Sequence, residues 1–304
     1  MPRWEEAHDG LVDAYRFNNS DTGRLYTQGF VESFTSKAPP PPSDVKGTIA
    51  DPEMVGKIIP ALLWNADPVY IEPEMQMLWE AATKSFSAEP LRETDLITRT
   101  GFVWLPSPFL MEDVNHKTTS MRAFAWHVTS DSGLIVFAFH RQGDIDDFDD
   151  GPPYPGMRIT TGDIIVSHYM PWPFDTAPGV GDIDKDDPRN LQRPIQCLWR
   201  LLSQTITTKA GEMPSRAFRR RAERAKFPHR RVTVVTLRRP NQHEPSGEHT
   251  TVEWTHRWIV AGHWRNQPYP SLGISRQIWI SPFVKGPDDL PLVMPKERVF
   301  QLVR

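Results

Sequence analysis

The sequence predicts a mixed α+β fold, with antiparallel sheets and a helical amino-terminal portion. Three observations predict it. Apolar residues recur at helical spacing between residues 51 and 86. Between residues 100 and 170 the period changes to strict alternation. The chain also carries 30 prolines, too many for a helical bundle, while aromatic and aliphatic residues are spread along its whole length. With 304 residues and 38% hydrophobic content, it can bury a substantial core. The organisation expected is a mostly helical region over 1–99 with a proline-rich strap, then an α+β region over 100–304, the two being able to form one continuous domain.

Taken in order, residues 1–50 read as peripheral. Met1 to Gly10 are polar and acidic and lack the basic start, apolar run and cleavage site of a signal peptide. The run Pro39 to Pro42 favours extended polyproline geometry. A helix is expected from Asp51-Pro52, where aspartate caps free amides and proline suits the first turn. Met54, Val55, Ile58, Ile59, Leu62 and Leu63 supply its buried face. A second helix starts near Pro73, with Met75, Leu78, Ala82 and Phe86 at helical spacing.

Gly101 to Phe109 reads as a strand ended by Pro106 and Pro108. Met121 to Val128 and Leu134 to His140 flank the turn sequence Ser130 to Gly133 and predict an antiparallel hairpin with one buried face. Another strand is expected around Asp163 to Tyr169. Two acidic stretches follow, Asp144 to Asp150 and Asp182 to Asp187. The spacing of Asp182, Asp184 and Asp186 resembles the start of a calcium loop, but the required glycine and distal glutamate are absent. A solvated loop and no bound metal are therefore expected. A third helix, about 190–205, carries the stripe Ile195, Leu198, Trp199, Leu202 and Ile206. Cys197, the single cysteine, falls inside it and reads as a small buried side chain. One cysteine can form neither an internal disulfide nor a cysteine zinc site. No apolar stretch approaches the roughly 20 residues of a membrane helix. A soluble, cytoplasmic protein without cofactor is the expectation.

Charge is unevenly distributed. Residues 1–191 hold 15 Lys+Arg against 30 Asp+Glu, a balance of −15; residues 192–304 hold 20 against 8, a balance of +12. Such a split points to an anionic partner for the basic part, RNA or the ribosome. Its densest segment is 215–239. Arg216, Arg220 and Arg224 fall at four-residue spacing on one helix face, with Arg219 adjacent. Ala217, Phe218, Arg221, Ala222 and Ala225 form the opposite face. Arg230 and Arg231 precede a strand, Val232 to Leu237, and Arg238 and Arg239 follow it. Arginine's planar fork binds phosphate through two hydrogen bonds, so these eight residues are candidate phosphate ligands.

The last segment alternates over 251–260, with His256 on the face of Trp254 and Trp258, where a core histidine is expected. An unbroken strand would put His263 and Arg265 on the face of Arg257; Gly262 makes a bulge possible. His263 and Arg265 suit a general acid/base and a phosphate-binding cation for metal-independent RNA cleavage. They equally suit binding without chemistry, or bracing of the loop 266–275. Trp264 and Trp279 could stack on bases, core packing being expected for at least one of them. No Walker loop, GxSxG elbow or HExxH helix is present.

The residues His256, Arg257, Gly262, His263, Trp264, Gly273, Arg276 and Trp279, followed by a short apolar strand, resemble the carboxyl-terminal pattern of the type V-A anti-CRISPR family of the Acr VA-two type. The order of elements before them is similar too: a mid-chain β region, an acidic loop, a strand ending at Pro171-Trp172-Pro173-Phe174, and a helix around Leu198-Trp199. The similarity of order covers about two-thirds of the chain, and the basic segment 216–239 departs from the family pattern. The resemblance implies a phage or mobile-element inhibitor of host defence that meets a defence protein as a nascent peptide. In that family the encoding mRNA is then destroyed. A ribonuclease and a non-catalytic protein-interaction module are the alternatives.

Overall fold

The computed structural model describes residues 4–35, 52–87, 89–112, 118–129, 133–144, 160–175, 191–238, 257–260, 262–287 and 290–293. The fold is α+β, and its centre is a seven-stranded mixed sheet in the order β5-β4-β3-β2-β1-β7-β6. These strands are β1 (Asp67–Ile71), β2 (Thr100–Glu112), β3 (Thr118–Thr129), β4 (Gly133–Arg141), β5 (Ile164–Pro173), β6 (Thr207–Glu212) and β7 (Val232–Leu237). β1 runs parallel to both its neighbours, and every other pair in the sheet is antiparallel. The regions 1–99 and 100–304 therefore share one sheet, with β1 of the first seated between β2 and β7 of the second.

Helices cover both faces. On one lie α1 (Glu5–Asn18), α3 (Pro52–Asn65) and α6 (Arg216–Arg224), packing Leu11, Ile59, Leu63 and Ala222 onto Phe102, Phe137 and Phe139. α2 (Asp21–Thr35) joins this side, where Tyr26 and Phe17 meet Ile165 at the β5 edge. On the other lie α4 (Pro73–Thr83) and α5 (Gln192–Leu202), packing Met75, Trp79, Leu198 and Trp199 onto Phe124, Trp126 and Val136. The Trp79 indole donates to the Pro194 carbonyl at 2.7 Å and ties α4 to α5.

Three expectations need correction. The β3–β4 hairpin is buried on both faces: β4 is buried from Gly133 to His140, because helices cover each side. The amino-terminal residues are not peripheral, since Ala7, Leu11, Val12 and Ala14 of α1 are fully buried. Interleaved polar residues hid this stripe. Strand β2 does not end at its prolines. It continues to Glu112 with a register shift between Trp104 and Phe109. Arg122 makes this possible by donating to the carbonyls of Leu105 and Pro106, at 3.2 and 3.0 Å, while pairing with Asp144. The bulge carbonyls are thereby satisfied where proline supplies no partner amide.

The carboxyl-terminal strands form two small sheets. β9 (His263–Tyr269) and β10 (Ile274–Ile280) make an antiparallel hairpin; β8 (Arg257–Val260) lies between β11 (Phe283–Lys285) and β12 (Leu292–Val293). Gly273, at φ +64, closes the β9–β10 connection in the left-handed region that glycine tolerates. Among the described residues, no helix is long and apolar enough to cross a membrane. Pro39 to Pro42, residues 145–150 and 182–187, and the strand residues 251–256 lie outside the described residues.

Candidate nucleic-acid interface

Helix α6 begins at Ser215, whose extended backbone suits a cap although its hydroxyl makes no capping bond. Its amide instead donates to the Glu5 carboxylate of α1, at 2.6 Å. A carboxylate at a helix amino terminus also meets the positive end of the helix dipole. The inward side of α6 is fully committed. Ala222 is buried, and Arg221 reaches Asp9 at 2.6 Å and Asp13 at 2.7 Å. The helix ends in a Schellman turn: Lys226, at φ +53, lets the Phe227 amide donate to the Ala222 carbonyl at 2.9 Å. Phe227 is buried and anchors the exit.

The outward side carries four arginines with the exposed Glu223 among them. Arg216, Arg220 and Arg224 are exposed and Arg219 is half-buried. Among the described residues, no carboxylate lies within ion-pair distance of any of the four. Beyond α6 the chain enters an open cavity of about 690 Å³ at the amino-terminal ends of β1 and β7. Lys209, His229 and Arg231 line it with Thr98 and Thr233, over apolar walls from Val69 and Ile97. His229, at the strand ends, also reaches Glu223 of α6, at 3.2 Å. Arg231 runs beside Gly211, where an added Cβ would stand 3.7 Å from its Cδ.

The eight candidate arginines do not act together. Arg230 is held within the fold: it donates to the Trp64 carbonyl at 2.7 Å and sits 3.5 Å from Asp67, which accepts from the Thr98 hydroxyl at 2.9 Å. Arg238 is exposed at the far end of β7, roughly 20 Å from the cavity by strand length. Arg239 lies outside the described residues. Arg216, Arg219, Arg220 and Arg224 thus remain together on α6, whereas Arg231 and Lys209 stand with Thr233 and Val235 on the opposite face of the sheet. Lys209 escaped the sequence reading because β6 itself did.

Beneath α6, His8 is fully buried, and neither ring nitrogen has a hydrogen-bond partner among the described residues. Burial, helped by the charges of His229 and Arg221 against that of Glu5, pushes its pKa down to about 4. Burial raises the neighbouring Asp9 to about 6, against the pull of Arg221.

The carboxyl-terminal motif is used differently. Trp264 and Trp279 face each other across β9 and β10, their ring centroids 5.4 Å apart. Trp264 donates to the Ala82 carbonyl at 3.0 Å and packs against Phe86. Trp279 is 5% exposed. Trp279 is therefore enclosed, while Trp264 is half-buried. At Gly262 a Cβ would fall 2.5 Å from the Trp279 ring, so only glycine fits. Buried Gln277 donates to the Ser87 carbonyl and to Glu89. Arg200 of α5 binds Glu89 and Asp95, at 3.2 and 3.0 Å, and completes the polar seam that docks the hairpin.

Arg257 donates to the Leu290 carbonyl at 2.8 Å. β8 and β9 belong to different sheets, so the common face that an unbroken strand would give Arg257, His263 and Arg265 does not form. His263 and Arg265 are exposed on the hairpin, with Arg265 donating to Gln267 at 2.8 Å; the cavity does not include them. Arg276 is half-buried opposite Gln267. His256 lies outside the described residues. Cys197 is buried, which drives its thiol up to about 12 and leaves it inert as a nucleophile.

Compared with protein-family profiles, curated proteins and solved structures, the chain finds no match.

Proposed function

We propose that this protein binds RNA by its sugar–phosphate backbone, on the outer side of α6. The observation that carries this reading is the row of Arg216, Arg220 and Arg224, exposed and without a carboxylate partner among the described residues. Four-residue spacing sets their stems roughly 6 Å apart along the helix, close to the step between successive phosphates on a strand. The inward arginine of the same helix is neutralised by two aspartates, so the outward charge is not needed to hold the fold. His229, which reaches Glu223 of α6, extends the surface past the helix end. The wider reading, an inhibitor of host defence that acts on translating mRNA, rests on the resemblance of the carboxyl-terminal segment. RNA binding is the part of it that the geometry of α6 supports.

The test is equilibrium binding of labelled RNA to the wild type and to the triple variant Arg216→Glu, Arg220→Glu, Arg224→Glu across a salt series. Each phosphate contact contributes about 0.7 to the slope of log affinity against log salt for single strands. Loss of three contacts should flatten the slope by about 2 and cut affinity at least about tenfold at low salt. Equal binding by both proteins, or no binding by the wild type at low salt, overturns the proposal. Sedimentation with polysomes tests the translational part. Protein confined to ribosome-free fractions at low salt counts against it.

A further inference from the structure

We infer that the RNA is single-stranded and that one of its unpaired bases stacks on Trp64. This rests on the backbone-binding reading and deepens it. Trp64 ends α3 and is 38% exposed, although its ring is the largest apolar side chain available for burial. It is also rigidly mounted. Phe227 meets it edge-on at 5.5 Å, Tyr15 packs against it at 5.3 Å, and Tyr15 and Phe227 contact each other at 4.9 Å. The three rings close a cluster at the exit of α6, leaving part of the indole to solvent.

The cluster adjoins the cationic surface through the backbone on both sides. Arg230, which lines the cavity, is bonded to the Trp64 carbonyl; Asp67, three residues further on, lines it as well. Phe227 lies two residues before the cavity-lining His229. A strand whose phosphates follow Arg216, Arg220 and Arg224 down α6 to its exit at Phe227 therefore reaches the ring cluster that holds Trp64.

An aromatic face beside a row of cations suits unpaired bases, since every base has a face that can stack without sequence preference. A duplex has its base faces occupied and offers the indole nothing. Because Tyr15 and Phe227 already hold the ring, little side-chain freedom remains to be lost on binding. Trp264 and Trp279, more conspicuous in the sequence, pack against each other on the opposite face of the sheet.

The experiment compares three ligands of equal length at one salt concentration: a single-stranded RNA without self-complementarity, the same strand annealed into a duplex, and a base-free strand with the same backbone. The single strand should bind at least about tenfold more tightly than either of the others, as loss of one stacked base costs about 5- to 100-fold. Trp64→Ala should lose that factor on the single strand and nothing on the duplex, whereas Trp64→Phe retains most of it. Equal binding of the base-free strand and the RNA overturns the inference while leaving backbone binding intact, and it does so whether or not Trp64→Ala folds. Equal binding of duplex and single strand overturns it as well. Loss of all three ligands in the triple arginine variant, with the single-strand preference present in the wild type, supports both readings together.

Discussion

Helix α6 and the β9–β10 hairpin are the two segments that stand out in this sequence, one for arginine and one for tryptophan and histidine. They lie on opposite faces of the central sheet, α6 with α1 and α3, the hairpin with α4 and α5. In the hairpin the unusual residues are consumed by packing: Trp264 and Trp279 close the core, Gly262 makes room for Trp279, and Gln277 enters a buried polar seam. In α6 the reverse holds. One arginine is consumed by Asp9 and Asp13, and the others face outward. An unusual composition thus has two different physical meanings. Tryptophan and glycine close together are what a tight junction between elements requires. Arginines repeated on an outer helix face contribute little to the fold, because exposed charges gain little from it.

The comparison sets out what variants should do. Hairpin substitutions should lower stability and leave RNA affinity alone, while the arginine triple should do the opposite, with stability within about 0.5 kcal/mol of wild type. The largest effect expected is from Trp279→Ala, about 3–5 kcal/mol of destabilisation by urea denaturation, from loss of transfer energy and an unfilled cavity. Gly262→Ala should follow with about 1–3 kcal/mol, since its Cβ must displace the enclosed Trp279 ring. Either variant weakening RNA binding while still folded would break the contrast.

Third in size is His8→Leu, which probes the ground beneath α6. Replacing a buried ring whose nitrogens have no partner among the described residues should raise stability at pH 7 by about 1 kcal/mol. The pH dependence should change as well. The folded pKa of His8, about 4, lies below its ordinary 6.5. The unfolded chain therefore takes the proton first, and stability is lost as pH falls from 6.5 towards 4. Asp9 works the other way: its folded pKa of about 6 lies above the ordinary 3.8, so its contribution is present at low pH and lost as pH rises through 6. In the wild type the two oppose each other. In His8→Leu the Asp9 contribution remains, and the variant should gain on the wild type steadily from pH 6.5 to 4. A constant difference across that range would show that His8 does not titrate as its burial requires.

The smallest effect expected is from His263→Ala, within about 0.5 kcal/mol in stability and without change in RNA affinity, because the side chain is exposed and far from α6. Cleavage of RNA by the purified wild type that is lost in this variant would restore the ribonuclease reading.

Much of the fold was legible in advance where a single period governs a segment. α3, α4, α5 and the β3–β4 hairpin follow their apolar spacing, and Arg221 was correctly placed on the inner side of α6. The misses have particular causes. α1 was overlooked because His8 and Glu5, both polar, are buried within its stripe. β6 was overlooked because an edge strand that is mostly exposed carries no alternation to read. The two prolines of β2 read as a stop because the guanidinium that satisfies their bulge comes from another strand.

The sequence by itself determined the α+β class, the inert burial of Cys197, and the charge separation that directs attention to residues 215–231. These depend on local spacing and on composition, which do not change when the chain folds. Only the tertiary structure decided which conspicuous residues are left over. Burial is set by the far side of a contact: by Ala82 and Phe86 for Trp264, by Asp9 and Asp13 for Arg221, by Tyr15 and Phe227 for the half-exposed Trp64. Those partners lie from about 50 to about 210 positions away along the chain, and no periodicity within a single element encodes them.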